Sequence, residues 1–241
     1  MTPAIRAILL TAFLAFTVFL TSGFWKTDDT LRCKRGGAGQ YTEAENACRA
    51  VIRRFAANPK KKYEVWEAWY NLGGYAESQN RPEEAIEHYT HAISFDNTYS
   101  KTFIARAQLF EQAGQTEKAA ADLRHVIKTF DETSVDHSFD VRLAHALLGR
   151  LQHHTGKHKE AADNLVKGYF SVRDRRDFTA ILKSYGFDDP AQVEAYKRGT
   201  YVPPQLSGRK PPVTVPVQKT ADTPYRSKDP NFAMDDPDFD F

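Results

Sequence analysis

Three histidines, His153, His154 and His158, are the residues of this 241-residue chain whose types and spacing come nearest to a reactive site. His154 and His158 stand at i and i+4, a spacing at which two imidazoles one helical turn apart hold zinc. Thr155-Gly156 lies between them and breaks such a helix, and no His-Glu-x-x-His arrangement supplies a base. The three therefore read as exposed histidines at a polar turn, with a metal-dependent enzyme as the minority alternative. Cys33 and Cys48 are too few for a four-cysteine zinc site and too far apart for a Cys-x-x-Cys redox pair. No nucleophile elbow, phosphate-binding loop or dinucleotide fingerprint is present. The expectation is a non-catalytic chain without metal or cofactor.

The elements that carry these residues recur along the chain. Glycine or asparagine at turn positions gives the series Gly39, Asn80, Gly114 and Gly156. Small residues opening the following helix give Ala44, Ala85, Ala119 and Ala161. Both series step by 41, 34 and 42 residues, so they report one register. Relative to the middle step, the outer two carry insertions of 7 and 8 residues, near Arg54–Lys62 and Asp131–Ser138. Small residues such as Gly73, Ala85, Ala92, Ala107 and Ala119 let paired helices approach closely, while Trp69, Leu72, Tyr89, Phe103, Phe110 and Leu123 fill the gaps. The first unit is the weakest: Gly36-Gly37 interrupts its first helix and Leu31 is its one clear anchor.

The stretch Trp66-Glu67-Ala68-Trp69-Tyr70-Asn71-Leu72-Gly73, continued by Asn80-Arg81-Pro82-Glu83-Glu84-Ala85 and closed by Tyr89, Ala92 and Phe95, resembles the tetratricopeptide repeat. The resemblance implies an all-α architecture: a solenoid of about four helix-turn-helix units at residues 25–58, 66–99, 100–133 and 142–175. After Gly168, one more helix should cover the last pair and end at Gly186, and Asp188-Asp189-Pro190 should start a short final helix through Arg198. Residues 24–198 are thus expected to form one elongated helical domain. Arg173, Arg175 and Arg176 read as a solvated helix surface.

The resemblance also implies a function, the binding of other polypeptides along the first helices. Carried over position by position, the groove consists of Glu67, Tyr70, Gly74 and Glu77, then Lys101, Ile104, Gln108 and Glu111, then Ala146, Arg150 and His153. It is expected to be polar, with Tyr70 and Ile104 as exposed apolar anchors. A carboxylate clamp is not expected, because only Asn71 and Lys101 match it. His88 and His91, on a second helix, face away from the groove or pack on the next unit.

The ends differ in character. Met1–Arg6 is basic, Ala7–Leu20 is apolar over 14 residues, and Thr21-Ser22-Gly23 follows, the layout of a secretory signal peptide cut after Gly23. An uncleaved anchor through Trp25 is the alternative. Export, expected to place the protein in the periplasm, favours a Cys33–Cys48 disulfide across the first helix pair, against two buried thiols. Net charge is +2, too small to supply a phosphate-binding field, so nucleic acid is not the expected partner. Eight of twelve prolines lie between Pro203 and Pro237, and residues 199–241 read as a disordered tail. Its acidic-aromatic end, with Phe232, Phe239 and Phe241, suits a short docking motif.

Overall fold

The computed structural model describes residues 28–36, 41–130, 132–133, 137–169 and 176–207. The signal segment 1–23, Gly39, Arg173, Arg175 and the tail phenylalanines Phe232, Phe239 and Phe241 lie outside these residues. The described residues are helical. They form α1 (Asp28–Lys34), α2 (Tyr41–Phe55), α3 (Lys62–Ser78), α4 (Pro82–Phe95), α5 (Ser100–Gln112), α6 (Thr116–Thr129), α7 (Ser138–His154), α8 (His158–Lys167), α9 (Arg176–Ser184) and α10 (Pro190–Lys197). A 3₁₀ turn, Pro59–Lys61, precedes α3. Among the described residues no helix is long and apolar enough to cross a membrane. The chain divides into two compact units, Met1–Asn97 and Thr98–Phe241.

Hairpins are the building block of both units. Consecutive helices pack as α1 on α2, α3 on α4, α5 on α6 and α7 on α8. The turn residues of the last three pairs have positive φ: Asn80 at 57°, Gly114 at 70° and Gly156 at 76°. This left-handed backbone costs glycine nothing and asparagine little, which is why those types mark the register. Ala44, Ala85, Ala119 and Ala161 are all buried where the second helices open. The 7-residue insertion becomes the 3₁₀ turn and a lengthened α3, which has 17 residues against 13 in α5. The second insertion precedes α7, also of 17 residues.

Helix α2 shows how the pattern produces packing in the first unit. Ala44, Ala47, Cys48 and Val51 recur at helical spacing and are buried against Leu72 and Tyr75 of α3. A polar hub joins the same helices. Buried Glu45 accepts from Gln79 Nε2 at 2.7 Å and pairs with Arg81, which also holds Glu84. The Cys33–Cys48 disulfide ties α1 to α2, with Cα atoms 4.7 Å apart. Leu31 is not the anchor of α1: it is 44% exposed, and the buried residue of that helix is Cys33. A seven-residue helix buries one narrow stripe, and the disulfide sets which residue lies on it. Gly36 ends this helix against the ring of Tyr75, where a Cβ would approach to 2.5 Å.

Adjacent glycines in α3 give a direct test of the packing. A Cβ on Gly73 would lie 2.4 Å from the buried Tyr89 ring, whereas one on Gly74 would meet only the Tyr89 hydroxyl, at 3.9 Å. Gly73→Ala is expected to destabilise the protein by about 1–3 kcal/mol through overpacking. Gly74→Ala should stabilise it by roughly 0.5–1 kcal/mol, because alanine is the better helix former and finds room. Chemical denaturation of the two variants checks both signs.

In the second unit, α9 lies on α7 and α8 and buries Phe178, Ile181 and Leu182. Gly186 follows with φ at 91°. Asp189 then caps α10 in a reciprocal capping box with Gln192, behind Pro190 at the first turn. Gly199 closes it, with φ at 70°.

Candidate functional site

In the first unit, the face expected to bind partners is largely occupied by the protein itself. Tyr70 is only 8% exposed. It stacks on Trp66, with centroids 5.4 Å apart, and tilts against Tyr89 at 5.5 Å. Glu67 forms an ion pair with Lys34 of α1 at 2.9 Å. Gly74 and Glu77 are half-buried on the last turns of α3. The reason is that α3 is packed by α1, α2 and α4 together, which leaves a narrow stripe open.

The second unit repeats the pattern. Ile104 is 0% exposed, and Gln108, Ala146, Arg150 and His153 are buried. Lys101 is half-buried. Arg150 donates to Glu111 twice, from Nε to Oε1 at 3.0 Å and from Nη2 to Oε2 at 2.7 Å, joining α7 to α5. Its guanidinium also lies 5.1 Å from the centre of the Phe178 ring. Tyr70 and Ile104 are therefore core, not exposed anchors, and Glu111 and Arg150 are partners of each other. In each unit an ion pair crosses between neighbouring first helices, a bidentate geometry in the second that adds specificity as well as energy.

The histidines at the α7–α8 turn are not a uniformly exposed set. His153 is buried, His158 is half-buried and His154 is exposed. His153 Nδ1 lies 2.6 Å and His158 Nδ1 3.2 Å from the hydroxyl of Tyr185, the residue after α9. One phenolic proton can serve one imidazole. The shorter contact fits Tyr185 donating to neutral His153, with the His158 N–H donating to the phenol oxygen. Burial, reinforced by His154 and His158, pushes His153 down to about 4, and burial pushes the Tyr185 phenol up. The two imidazoles thus latch the covering helix in place. Among the described residues, no three His, Cys, Asp or Glu side chains converge as metal ligands would. Sequence reasoning missed Tyr185, and no local motif could have found it, since 27 residues separate it from His158.

This latch makes stability depend on pH. His153 titrates near 6.5 when unfolded and near 4 when folded, so the unfolded chain binds the proton more tightly. Its contribution is complete above about 6.5 and is lost as pH falls toward 4, for a total of about 3 kcal/mol. His145 and His88, also lowered by burial, add with the same sign. Melting curves across this window should fall more steeply for the natural protein than for His153→Gln.

His88, which is buried, and His91, which is exposed, both lie against the Trp69 ring of α3. His91 stacks on that ring with centroids 4.5 Å apart, and His88 Nε2 lies 3.3 Å from Glu84.

Residues 35–99 match the family model described as tetratricopeptide repeat. Over those residues the sequence is that of a tetratricopeptide repeat. Among solved structures, the crystal structure of MamA is similar, with 15% sequence identity, a TM-score of 0.48, and coverage of 67% of this chain and 81% of that one. Among curated proteins none is significantly similar in sequence. A tetratricopeptide stack is in general a scaffold for protein–protein interaction, and typically not a catalyst.

One polar cluster, on helices of the second unit beyond the matched residues, contains the residue types of a hydrolase. The hydroxyl of Ser100 donates to Asp140 Oδ2 at 2.5 Å and lies 3.3 Å from His137 Nδ1. In an acyl-transfer triad the imidazole stands between serine and acid, so that it can take the serine proton. Here the hydroxyl stands between them and is itself buried. The cluster fastens the start of α5 to the start of α7. Of the residues expected to line the groove, Glu67, Gly74 and Glu77 in one unit and Lys101 and Glu111 in the other are half-buried, and Glu67 and Glu111 are held in ion pairs.

Proposed function

We propose that this protein is a non-catalytic adaptor of the cell envelope that holds partner polypeptides on the first-helix faces of its repeats. The observation carrying this reading is the match of residues 35–99 to the tetratricopeptide repeat, continued in the second unit by hairpins with the same turn chemistry. Contact is made by the half-buried residues Gly74, Glu77 and Lys101, with Glu67, Gln108, Glu111 and Arg150 holding the helices that present them. The acidic-aromatic segment with Phe232, Phe239 and Phe241 adds a second contact. Two weak contacts on one chain raise avidity by about 10²–10⁴ when geometry lets both engage.

Export rests on the apolar run Ala7–Leu20 and the small residues before Phe24. It is supported by the disulfide, a bond that persists in oxidising compartments. Mass spectrometry of the mature N-terminus tests this: a chain beginning near Phe24 supports a periplasmic protein, and an intact Met1 favours an anchored subunit.

Affinity capture after in-cell crosslinking tests the binding surface. Glu77→Lys with Lys101→Glu should lose the partner at unchanged melting temperature. A chain ending at Gly199 should retain it more weakly. Undiminished capture by the charge-reversed variant would overturn the first-helix reading.

A further inference from the structure

The net charge of +2 conceals a strong segregation. Between Glu45 and Glu64 the chain carries Arg49, Arg53, Arg54, Lys60, Lys61 and Lys62 and no acid. These residues form the end of α2, the 3₁₀ turn and the start of α3, all within the first compact unit. Two aromatic rings lie among them. The Arg54 guanidinium stands 4.8 Å and the Lys61 ammonium 5.7 Å from the centre of Phe55. Lys34, from the end of α1, stands 5.8 Å from the centre of Tyr63, which is itself 40% exposed. Lys34, Lys61 and Lys62 have acidic partners, Glu67, Glu64 and Asp96, yet keep 39%, 43% and 51% of their side chains exposed. Cations are thus laid on aromatic rings, with their charge still open to solvent. Such a face fits a ligand that alternates carboxylates with aromatic rings: the acids meet the ammonium and guanidinium groups, and the rings extend the cation–π stacks.

The same chain contains such a ligand. Between Asp229 and Phe241 there are five aspartates, Asp229, Asp235, Asp236, Asp238 and Asp240, and three phenylalanines, Phe232, Phe239 and Phe241, with no lysine or arginine. Residues 208–228 connect this segment to the last described residue. A stretch of 21 residues spans at most roughly 70 Å, more than the ~30 Å diameter of a small domain. It is long enough to reach a neighbouring molecule. We propose that the face formed by Lys34, Arg54, Phe55, Lys61, Lys62 and Tyr63 docks the acidic-aromatic segment 229–241 of a second copy of this chain. The interaction is heterologous, face to segment, so it either closes by reciprocal exchange between two copies or grows along a row of them. It shares the segment with the proposed function but does not depend on the first-helix faces.

Sedimentation velocity of the full chain tests this. The protein should self-associate with rising concentration at low salt and dissociate at high salt, where exposed charges are screened. Arg54→Glu with Lys61→Glu removes the face. Asp235→Asn, Asp236→Asn, Asp238→Asn and Asp240→Asn together remove most of the segment's charge. Each variant should be monomeric alone, and an equimolar mixture should associate again, since one supplies the segment and the other the face. A synthetic peptide spanning 229–241 should dissociate the natural assembly, which keeps the test decisive if the face variant unfolds. The proposal is overturned by a natural chain that is monomeric at every concentration, by association that survives loss of the aspartates, or by a mixture that stays monomeric. Undiminished capture of envelope partners by the Glu77→Lys, Lys101→Glu variant, with self-association intact, would instead count against the adaptor reading alone.

Discussion

Replacing Tyr70 and Ile104 by alanine is expected to unfold much of the protein, because both side chains are sealed in its core. Tyr70 fills the space between Trp66 and Tyr89, and Ile104 is wholly buried in the second unit. Removing a large buried aromatic ring costs about 3–5 kcal/mol, and isoleucine to alanine costs about 2–5 kcal/mol. Together they approach the whole of a typical stability of about 5–15 kcal/mol. Each single variant should lower the denaturation midpoint measured by circular dichroism, and the double variant should lose its cooperative transition. A double variant melting within a few degrees of the natural protein would return both residues to an accessible face.

Loss of the Cys33–Cys48 bond is the second large effect. It closes a loop of 15 residues, for which the chain-entropy model assigns about 3 kcal/mol of stabilisation. Helix α1 has seven residues, too short to persist alone. Beyond the disulfide it is held by the Tyr75 hydroxyl, which donates to Cys33 O at 2.5 Å, by the Gly36 N–H donating to that hydroxyl at 3.1 Å, and by the Lys34–Glu67 pair. Without the covalent tie these contacts pay the ordering entropy of the segment unaided. Cys33→Ser with Cys48→Ser, or reduction, should therefore lower the melting temperature by roughly 6–12 °C for a chain of this size. Hydrogen exchange should show protection lost first in α1 and retained in α5 through α8. An unchanged melting temperature under reductant would show that the noncovalent contacts suffice.

Much of the architecture is legible in the sequence because it is set by local chemistry. Asn80, Gly114 and Gly156 mark turns since their residue types tolerate positive φ, whatever surrounds them. Ala85, Ala119 and Ala161 mark helix contacts because a larger side chain would hold the helices apart. Asp189-Pro190 starts α10 through a cap that needs only its own next turn. The binding face is less legible because exposure is not a local property. Ile104, Gln108 and Arg150 are buried, and Tyr70 is covered by Trp66 of its own helix and Tyr89 of the paired one, contacts that spacing along one helix does not reveal. Sequence also does not distinguish a charge that waits for a ligand from one already paired, as Glu111 is with Arg150 across 39 residues.

The sequence by itself determined the repeat: its period, its turns, its all-helical class and the two cysteines available to pair. Only the tertiary structure decided that Cys33 rather than Leu31 anchors α1, that Tyr185 latches α9 onto two histidines, and that the expected groove anchors are core. The physical reason is range. Backbone conformation and helix contact depend on residues within a turn or a hairpin, whereas burial and ion pairing are settled between helices that the chain brings together from tens of residues apart.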